Sequence, residues 1–386
     1  MTAHAKLSPS ASGRWLECPA SVRLLRDIDT HVSSPAAQEG TDFHLLCEIT
    51  ARYRLLGGDE AEYQEALLDW AMETVPEGIA DQLMYLEQWI DYLEECLAEE
   101  EGAQLFLEQK LQTGIPGCWG TSDTVIIYSD RIKIVDIKYG KGMQVVAWDN
   151  PQLMLYGLGA LSLVDGNIQV RDVELVAWQP RRDNVSEYHI SRKDLEAWRE
   201  QIRPIAELAL TEDAPFGPSE EACYWCPVAG TCKARAEKML ALDFGDPDLL
   251  SPAELAEAYS MVKEISRWTA AVSAAALDAA NDKKLPGYKV VLSGGRRSIP
   301  DSAKAIKVLV DEGFDREAVA RESIQTLGVL DKLAGSGDRL KLILGDLLVK
   351  GEGSPSLAPE SDPRQPADAL TTAKGDFADI PNGDPS

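Results

Sequence analysis

No run of apolar residues in this 386-residue chain approaches the roughly 18 that a membrane-spanning helix needs, so no membrane partner is expected. The opening residues MTAHAKLSPS lack the apolar segment of a secretory signal, and the expected location is therefore cytoplasmic. A disulfide framework is missing as well. Seven cysteines stand at 18, 47, 96, 118, 223, 226 and 232, and an odd number in a chain without a signal argues for metal ligation or simple burial. Positive charge is scarce: Lys plus Arg is 38 against 64 for Asp plus Glu, a net −26, which taken alone argues against a polyanion partner. No internal repeat is present.

The charge deficit is local. Residues Asp59 to Glu101 hold fifteen acids and no Lys or Arg, and Gly351 to Ser386 hold seven acids against two bases. Those blocks carry −15 and −5 of the total, so the rest of the chain is only mildly acidic and can contain a basic groove. With 45% apolar and 26% charged residues the bulk reads as an ordinary globular protein, long enough for two or three domains.

Phe43, Leu46, Ile49 and Tyr53 recur at helical spacing, and Trp70, Leu83, Leu86, Trp89, Ile90, Leu93 and Leu97 form an apolar stripe over a carboxylate face. Residues 1–104 are therefore expected to be mostly helical. From about Gln104 the runs LFLEQKLQ, WGTSDTVIIY and RIKIVDIK are β-rich, and only Ser129 and Asp130 separate the last two, which predicts a hairpin. Asn150-Pro151 opens a helix, the strands VELVAWQ and VSEYHIS follow, and a helix runs from Lys193 to about Leu208. This order predicts an α/β fold with one mixed sheet flanked by helices over 105–240, ending in a cysteine cluster. A smaller α+β unit over 241–350 opens on the capping box Ser251-Pro252-Ala253-Glu254, with a helix to about Asn281, a strand over Tyr288–Leu292 and a Gly294-Gly295-Arg296-Arg297 turn that suits phosphate or solvent equally. Residues 351–386, with six prolines and few large apolar groups, read as a largely disordered acidic tail.

The chemistry concentrates between 117 and 156. A two-residue connection pairs Ser129 with Asp130 and thereby sets Asp123 near Asp136, while period two puts Asp136 and Lys138 on one face. Gln152 and Tyr156 sit one turn apart on the next helix. Two carboxylates with a lysine suit metal-assisted phosphodiester cleavage: carboxylate oxygens hold Mg²⁺ or Mn²⁺, and the lysine positions water or stabilises developing charge. A solvent-facing salt-bridge ladder would use the same residues. Upstream, His44 and Glu48 share a helical face.

Taken together, G-T-x-x-H-x-x-x-E from Gly40, G-x-x-D ending at Asp123, D-x-K at Asp136 to Lys138 and Q-x-x-x-Y from Gln152 resemble the RecB-type branch of the PD-(D/E)XK nucleases, over about residues 36–232. The resemblance implies a restriction-endonuclease-like core in which His44, Asp123 and Asp136 bind the metal, Lys138 is catalytic, and Gln152 and Tyr156 position the scissile strand of DNA. Glu108 is an accessory acid or, more simply, a surface residue. Cys223-x2-Cys226-x5-Cys232, with Cys18 far upstream, is not the paired pattern of a zinc ribbon; thiolates of this kind favour zinc or an iron–sulfur cluster. The arrangement resembles the iron–sulfur staple of AddB-type nucleases, which implies that Cys18, Cys223, Cys226 and Cys232 bind a structural [4Fe–4S] cluster, with zinc as the alternative occupant. Cys47, Cys96 and Cys118 read as buried apolar residues.

The expected function is a metal-dependent DNA nuclease, an exonuclease in phage recombination or replication, acting on single-stranded DNA or duplex ends. A phage single-strand annealing protein is the implied protein partner. Trp119, Tyr139, Trp148 and Tyr156 suit stacking on bases or burial in a core, and Lys110, Lys133, Lys138, Lys141, Arg181, Arg182 and Arg192 are candidate phosphate contacts. The rival is a non-catalytic DNA-binding or interaction module with the same fold, whose acidic helices dock a partner.

Overall fold

In the computed structural model, residues 5–28, 35–73, 76–164, 168–241 and 249–288 are described, together with Ser336 and Arg339 singly. The chain divides into two units, Met1–Val291 and Leu292–Ser386, and the sheet lies wholly in the first. The helix opened by the capping box belongs to this first unit too, whereas the strand expected after Tyr288, the Gly-Gly-Arg-Arg turn and the tail lie outside the described residues.

Helices α1 (Ser12–Glu17), α2 (Ala20–Leu24), α3 (Pro35–Leu56), α4 (Glu60–Glu73) and α5 (Pro76–Ala98) precede strands β1 (Gln104–Gln112), β2 (Trp119–Ile127) and β3 (Arg131–Ile137). Helix α6 (Pro151–Ala160), strands β4 (Asp172–Gln179) and β5 (Asn184–Ser191) and helix α7 (Arg192–Ala209) follow. Short helices α8 (Glu220–Tyr224) and α9 (Lys233–Leu240) lead to α10 (Pro252–Asn281). The strands form one mixed sheet in the order β1-β2-β3-β4-β5. Neighbours are antiparallel except β3 and β4, which are parallel because α6 carries the chain back across the sheet.

Local chemistry accounts for these boundaries. The two-residue turn after β2 fixes its register with β3 at Thr124↔Val135, and Tyr128 N–H closes it on Arg131 O at 3.0 Å. Asn150 caps α6, its side chain accepting from the N–H groups of Gln152 and Leu153, with Pro151 at the first helical position. Ser251 and Glu254 form the reciprocal capping box of α10.

Alternation along the strands divides the core into two layers. Val125, Ile127, Ile132, Ile134, Val173 and Leu175 pack with α6 and α7, whereas Ile126, Val135, Ile137, Val176 and Trp178 pack with Phe43 and Leu46 of α3 and Trp89, Ile90 and Leu93 of α5. Helices α4 and α5 hold Glu62, Glu65, Asp69, Asp91, Glu94 and Glu95 toward solvent. At the end of α5, Glu99 takes Lys133 and Arg131 of β3 at 2.5 Å each, and Glu174 completes that network. Lys133 is thus buried and paired, which removes it from the candidate DNA contacts.

Candidate metal centre

Where the β2–β3 ladder ends, side chains take over from backbone. One position beyond the Thr124↔Val135 pair, Asp123 Oδ2 accepts from the N–H of Ile137 at 2.7 Å, so the carboxylate occupies the place of the next ladder bond. On the opposite edge of β2, the β1 pairs Leu107↔Thr124 and Gln109↔Ser122 flank Glu108, which leaves the ladder with φ 46°. A left-handed glutamate inside a strand is uncommon, and such strain gathers at functional sites. It turns Glu108 to Asp123. From α3, His44 Nδ1 reaches Asp123 Oδ1 at 3.4 Å. One ligand atom each from His44, Glu108 and Asp123 lies within 4.8 Å of the others, a spacing that suits a single cation.

Asp136 is 3% exposed and fully engaged. Its Oδ1 accepts from Gln152 Nε2 at 2.7 Å, its Oδ2 faces Lys138 Nζ at 2.7 Å, and Lys138 also donates to Gln152 Oε1 at 3.3 Å. Tyr156, one turn along α6, is buried beside them. The six residues expected from the sequence, His44, Asp123, Asp136, Lys138, Gln152 and Tyr156, therefore meet between α3, α6, the middle of β2 and the end of β3. Glu48 turns instead to Arg52 at 2.8 Å, and Arg52 braces β1 by donating to Leu107 O.

The charges are strongly coupled. Burial by itself would lower His44, but Asp123, with Asp136 and Glu108, outweighs it and raises the imidazole to about 9. Burial, then the negative charges of Asp123 and Glu48, push Glu108 up to about 7. Burial also opposes ionisation of Asp123, yet His44, the Ile137 N–H and Lys138 hold it below the usual carboxylate range. Asp136 is raised by burial, which Lys138 offsets only in part, and by Asp123. Lys138 stays protonated because Asp136 and Asp123 outweigh its burial. Tyr156 is raised by burial and by the same two carboxylates. Three carboxylates thus crowd one imidazole and one ammonium in a secluded place, a donor set suited to a divalent cation.

A second constellation forms where α1 meets the segment that follows α7. Cys18, at the end of α1, lines one cavity with Cys223, Cys226 and Cys232, and the rest of that wall is apolar apart from Ser21. Gly217 allows the approach: a Cβ there would lie 1.9 Å from Glu17 O, and its N–H points to Cys18 Sγ at 3.4 Å. Gly230, between the last two cysteines, lets α10 close over the loop, since its Cβ would sit 2.3 Å from Ala271 O. Burial raises the Cys223 and Cys226 thiols, against the pull of Arg235 and Arg14 respectively. Arg235 is 2% exposed, and among the described residues its Nε has no hydrogen-bond partner; the Nε atoms of Arg14 and Arg23 share that condition. A buried guanidinium N–H without a partner is costly. A metal bound by four thiolates carries the missing negative charge, so the residues fit such a group. Cys47, Cys96 and Cys118 are buried elsewhere as small core residues.

Three residues expected near the substrate have other roles. Tyr139 is buried against Phe43, with ring centroids 4.1 Å apart, and Arg181 covers its face while pairing with Glu39 at 2.7 Å. Arg192 pairs with Glu196 within α7. Glu108 is the residue that the sequence pattern undervalues. Its register against Asp123 depends on the six-residue connection from β1 to β2, in which Gly114 and Pro116-Gly117 mark a turn without fixing which residues pair across it.

No helix among the described residues is long and apolar enough to cross a membrane. Among solved structures, the crystal structure of SSO0001 is similar to this chain at 18% identity, covering 56% of this chain and 94% of its own, with a TM-score of 0.25. A likeness at that level carries no argument about the site. Over residues 4–365 the sequence matches a family model, and the chain belongs to that family, described as Protein of unknown function (DUF2800).

Proposed function

We propose that this protein is a metal-dependent deoxyribonuclease of the RecB-like PD-(D/E)XK kind, an exonuclease of phage recombination or replication. The observation that carries the reading is the meeting of His44, Glu108, Asp123, Asp136 and Lys138 in one secluded cluster. His44, Glu108, Asp123 and Asp136 would hold Mg²⁺ or Mn²⁺. Such an ion supplies polarisation of the phosphoryl oxygen and acidification of water.

The chain does the rest. Gln152 and the Ile137 N–H orient the two aspartates, and a cation would take over the Asp136 oxygen now facing Lys138 and the Asp123 oxygen now facing His44. Lys138, held protonated beside Asp136, offers a positive charge to the developing phosphorane. Tyr156 and Gln152 form the wall on the α6 side and orient the scissile strand.

At the other end, Cys18, Cys223, Cys226 and Cys232 hold a structural [4Fe–4S] cluster that ties the first helix to the segment after α7. The unpartnered arginines beside these thiols support this reading. Zinc would satisfy the same charge, and assay of acid-labile sulfide separates the two.

Purified protein incubated with linear DNA degrades it with Mg²⁺ or Mn²⁺ and not with EDTA. Asp136→Asn abolishes cleavage at least a thousandfold with the circular-dichroism spectrum unchanged, and Lys138→Ala lowers turnover while sparing metal binding. Full activity of Asp136→Asn sinks the assignment. The interaction-module reading gains instead if wild-type protein neither cleaves nor binds DNA but captures a protein through α4 and α5.

A further inference from the structure

The segment joining β3 to α6, residues 139–150, has no regular secondary structure, yet its backbone is fastened at nearly every turn. Gln179, 2% exposed at the end of β4, donates through Nε2 to Gly140 O at 3.2 Å and Met143 O at 3.0 Å, and its Oε1 accepts from Val145 N–H. Arg182 donates to Lys141 O and Gly142 O at 2.9 and 2.7 Å. Asn184 donates to Val145 O, and Ser186 Oγ accepts from Ala147 N–H at 2.9 Å. Side chains of β4, β5 and the turn between them thus hold this loop in one shape.

What the loop presents is apolar. Met143, Val146 and Trp148 are 55, 54 and 65% exposed, and Val185, beside the Asn184 fastening, is 50% exposed. Ala147, between two of them, is buried. A mobile loop could fold such side chains inward; this one is fixed by polar bonds and keeps them in water, an arrangement that marks a binding surface. Of the four aromatic residues expected to stack on bases, Tyr139 and Tyr156 are buried and Trp119 has Lys110 Nζ 4.1 Å above its face, whereas Trp148 is open.

Position selects the occupant. The loop starts directly after Lys138 and ends on Asn150, the cap of the helix that carries Gln152, so Trp148 stands at a fixed offset from the two side chains that hold Asp136. Charge around it is slightly acidic, with Lys141 and Arg182 exposed against Asp149, Asp183 and Glu187. A duplex presents phosphates and would find little here; unpaired bases present aromatic faces.

We infer that this fastened loop is a stacking platform for unpaired bases, with Trp148 as its anchor, and that it selects a single-stranded end for the cleavage site. This inference rests on the nuclease reading and names its substrate. The test is equilibrium binding of a fluorescent single strand of roughly 20 nucleotides, a length that spans one such site, and of the matching blunt duplex. Asp136→Asn protein serves as the parent so that nothing is cut.

Adding Trp148→Ala weakens single-strand binding about tenfold, within the range for loss of one base–aromatic stack, and leaves duplex binding unchanged; Trp148→Phe restores most of the loss. Lys141→Ala lowers the salt slope by about 1. Leu277→Ala, an exposed apolar change on α10, alters neither. Unchanged single-strand binding by Trp148→Ala, or equal loss on both substrates, overturns the platform while wild-type cleavage keeps the nuclease reading intact. A parent that binds neither DNA, with no cleavage by wild type, removes both. Loss of a protein partner on Trp148→Ala with DNA binding intact overturns the assignment of DNA as the occupant.

Discussion

The two constellations of the first unit are opposite in charge and in scaffold. The centre around Asp123 and Asp136 has too many anions, stands on strands and helices, and is tied by Gln152 and the Ile137 N–H of the chain itself. The cysteine cavity has too few anions for its arginines, stands on helix ends and loops, and contains thiols that burial keeps protonated. One site is finished before it receives a cation. The other, on the reading proposed above, is finished only by what it binds, so that a bound group there would be a part of the fold.

The largest expected effect follows from that contrast. Cys226→Ser removes iron and sulfide and lowers the stability of the first unit by about 4 kcal/mol, the order expected for losing a cross-link that closes so long a loop. Asp136→Asn costs less, because Lys138 keeps Gln152 and the charge of Asp123 as partners and relief of carboxylate crowding offsets part of the lost pair. Denaturant melts of both variants beside wild type check this, and equal losses would break the contrast.

A smaller effect should change sign with loading. Arg235→Met stabilises protein stripped of metal by roughly 1–3 kcal/mol, since it removes a buried donor without a partner, and destabilises the loaded form by a similar amount. Melting both forms of both proteins reads this directly. A change of the same sign in both forms would separate Arg235 from the cysteine cavity.

The smallest effect is a pH dependence at the carboxylate centre. Without divalent metal, His44 is raised to about 9 from its ordinary value of 6.5, so its protonation contributes stability that is complete below about 6.5 and lost as the pH rises through 9. His44→Gln in EDTA should melt furthest below wild type near pH 6 and match it above about 9. A constant gap across that window would show that His44 acts through packing alone.

Much of the carboxylate centre was legible because its geometry is local. A two-residue turn leaves one register for β2 against β3, and that register puts Asp123 opposite Asp136 without knowledge of the rest of the chain. Asn150-Pro151 and Ser251-Pro252 announce their helices by capping chemistry alone. Glu108 was not legible in this way, since its turn toward Asp123 is a distortion of β1 that only its neighbours impose. The basic residues failed for a related reason. Lys133 and Arg181 look like free cations until Glu99, Glu174 and Glu39 arrive from distant segments. Tyr139 was hidden likewise, its ring taken into the core by Phe43.

Cys18 also sets a clock. The cysteines that share its cavity follow it from the ribosome about two hundred residues later, a wait of roughly 10–40 s at ordinary rates of synthesis. During that interval the sheet can form and close over its core, while α1 has no sulfur partner to hold it. If the cavity takes the cluster proposed above, its insertion is the concluding event in the maturation of this unit, and a cell short of iron would accumulate chains with a complete sheet and an open seam.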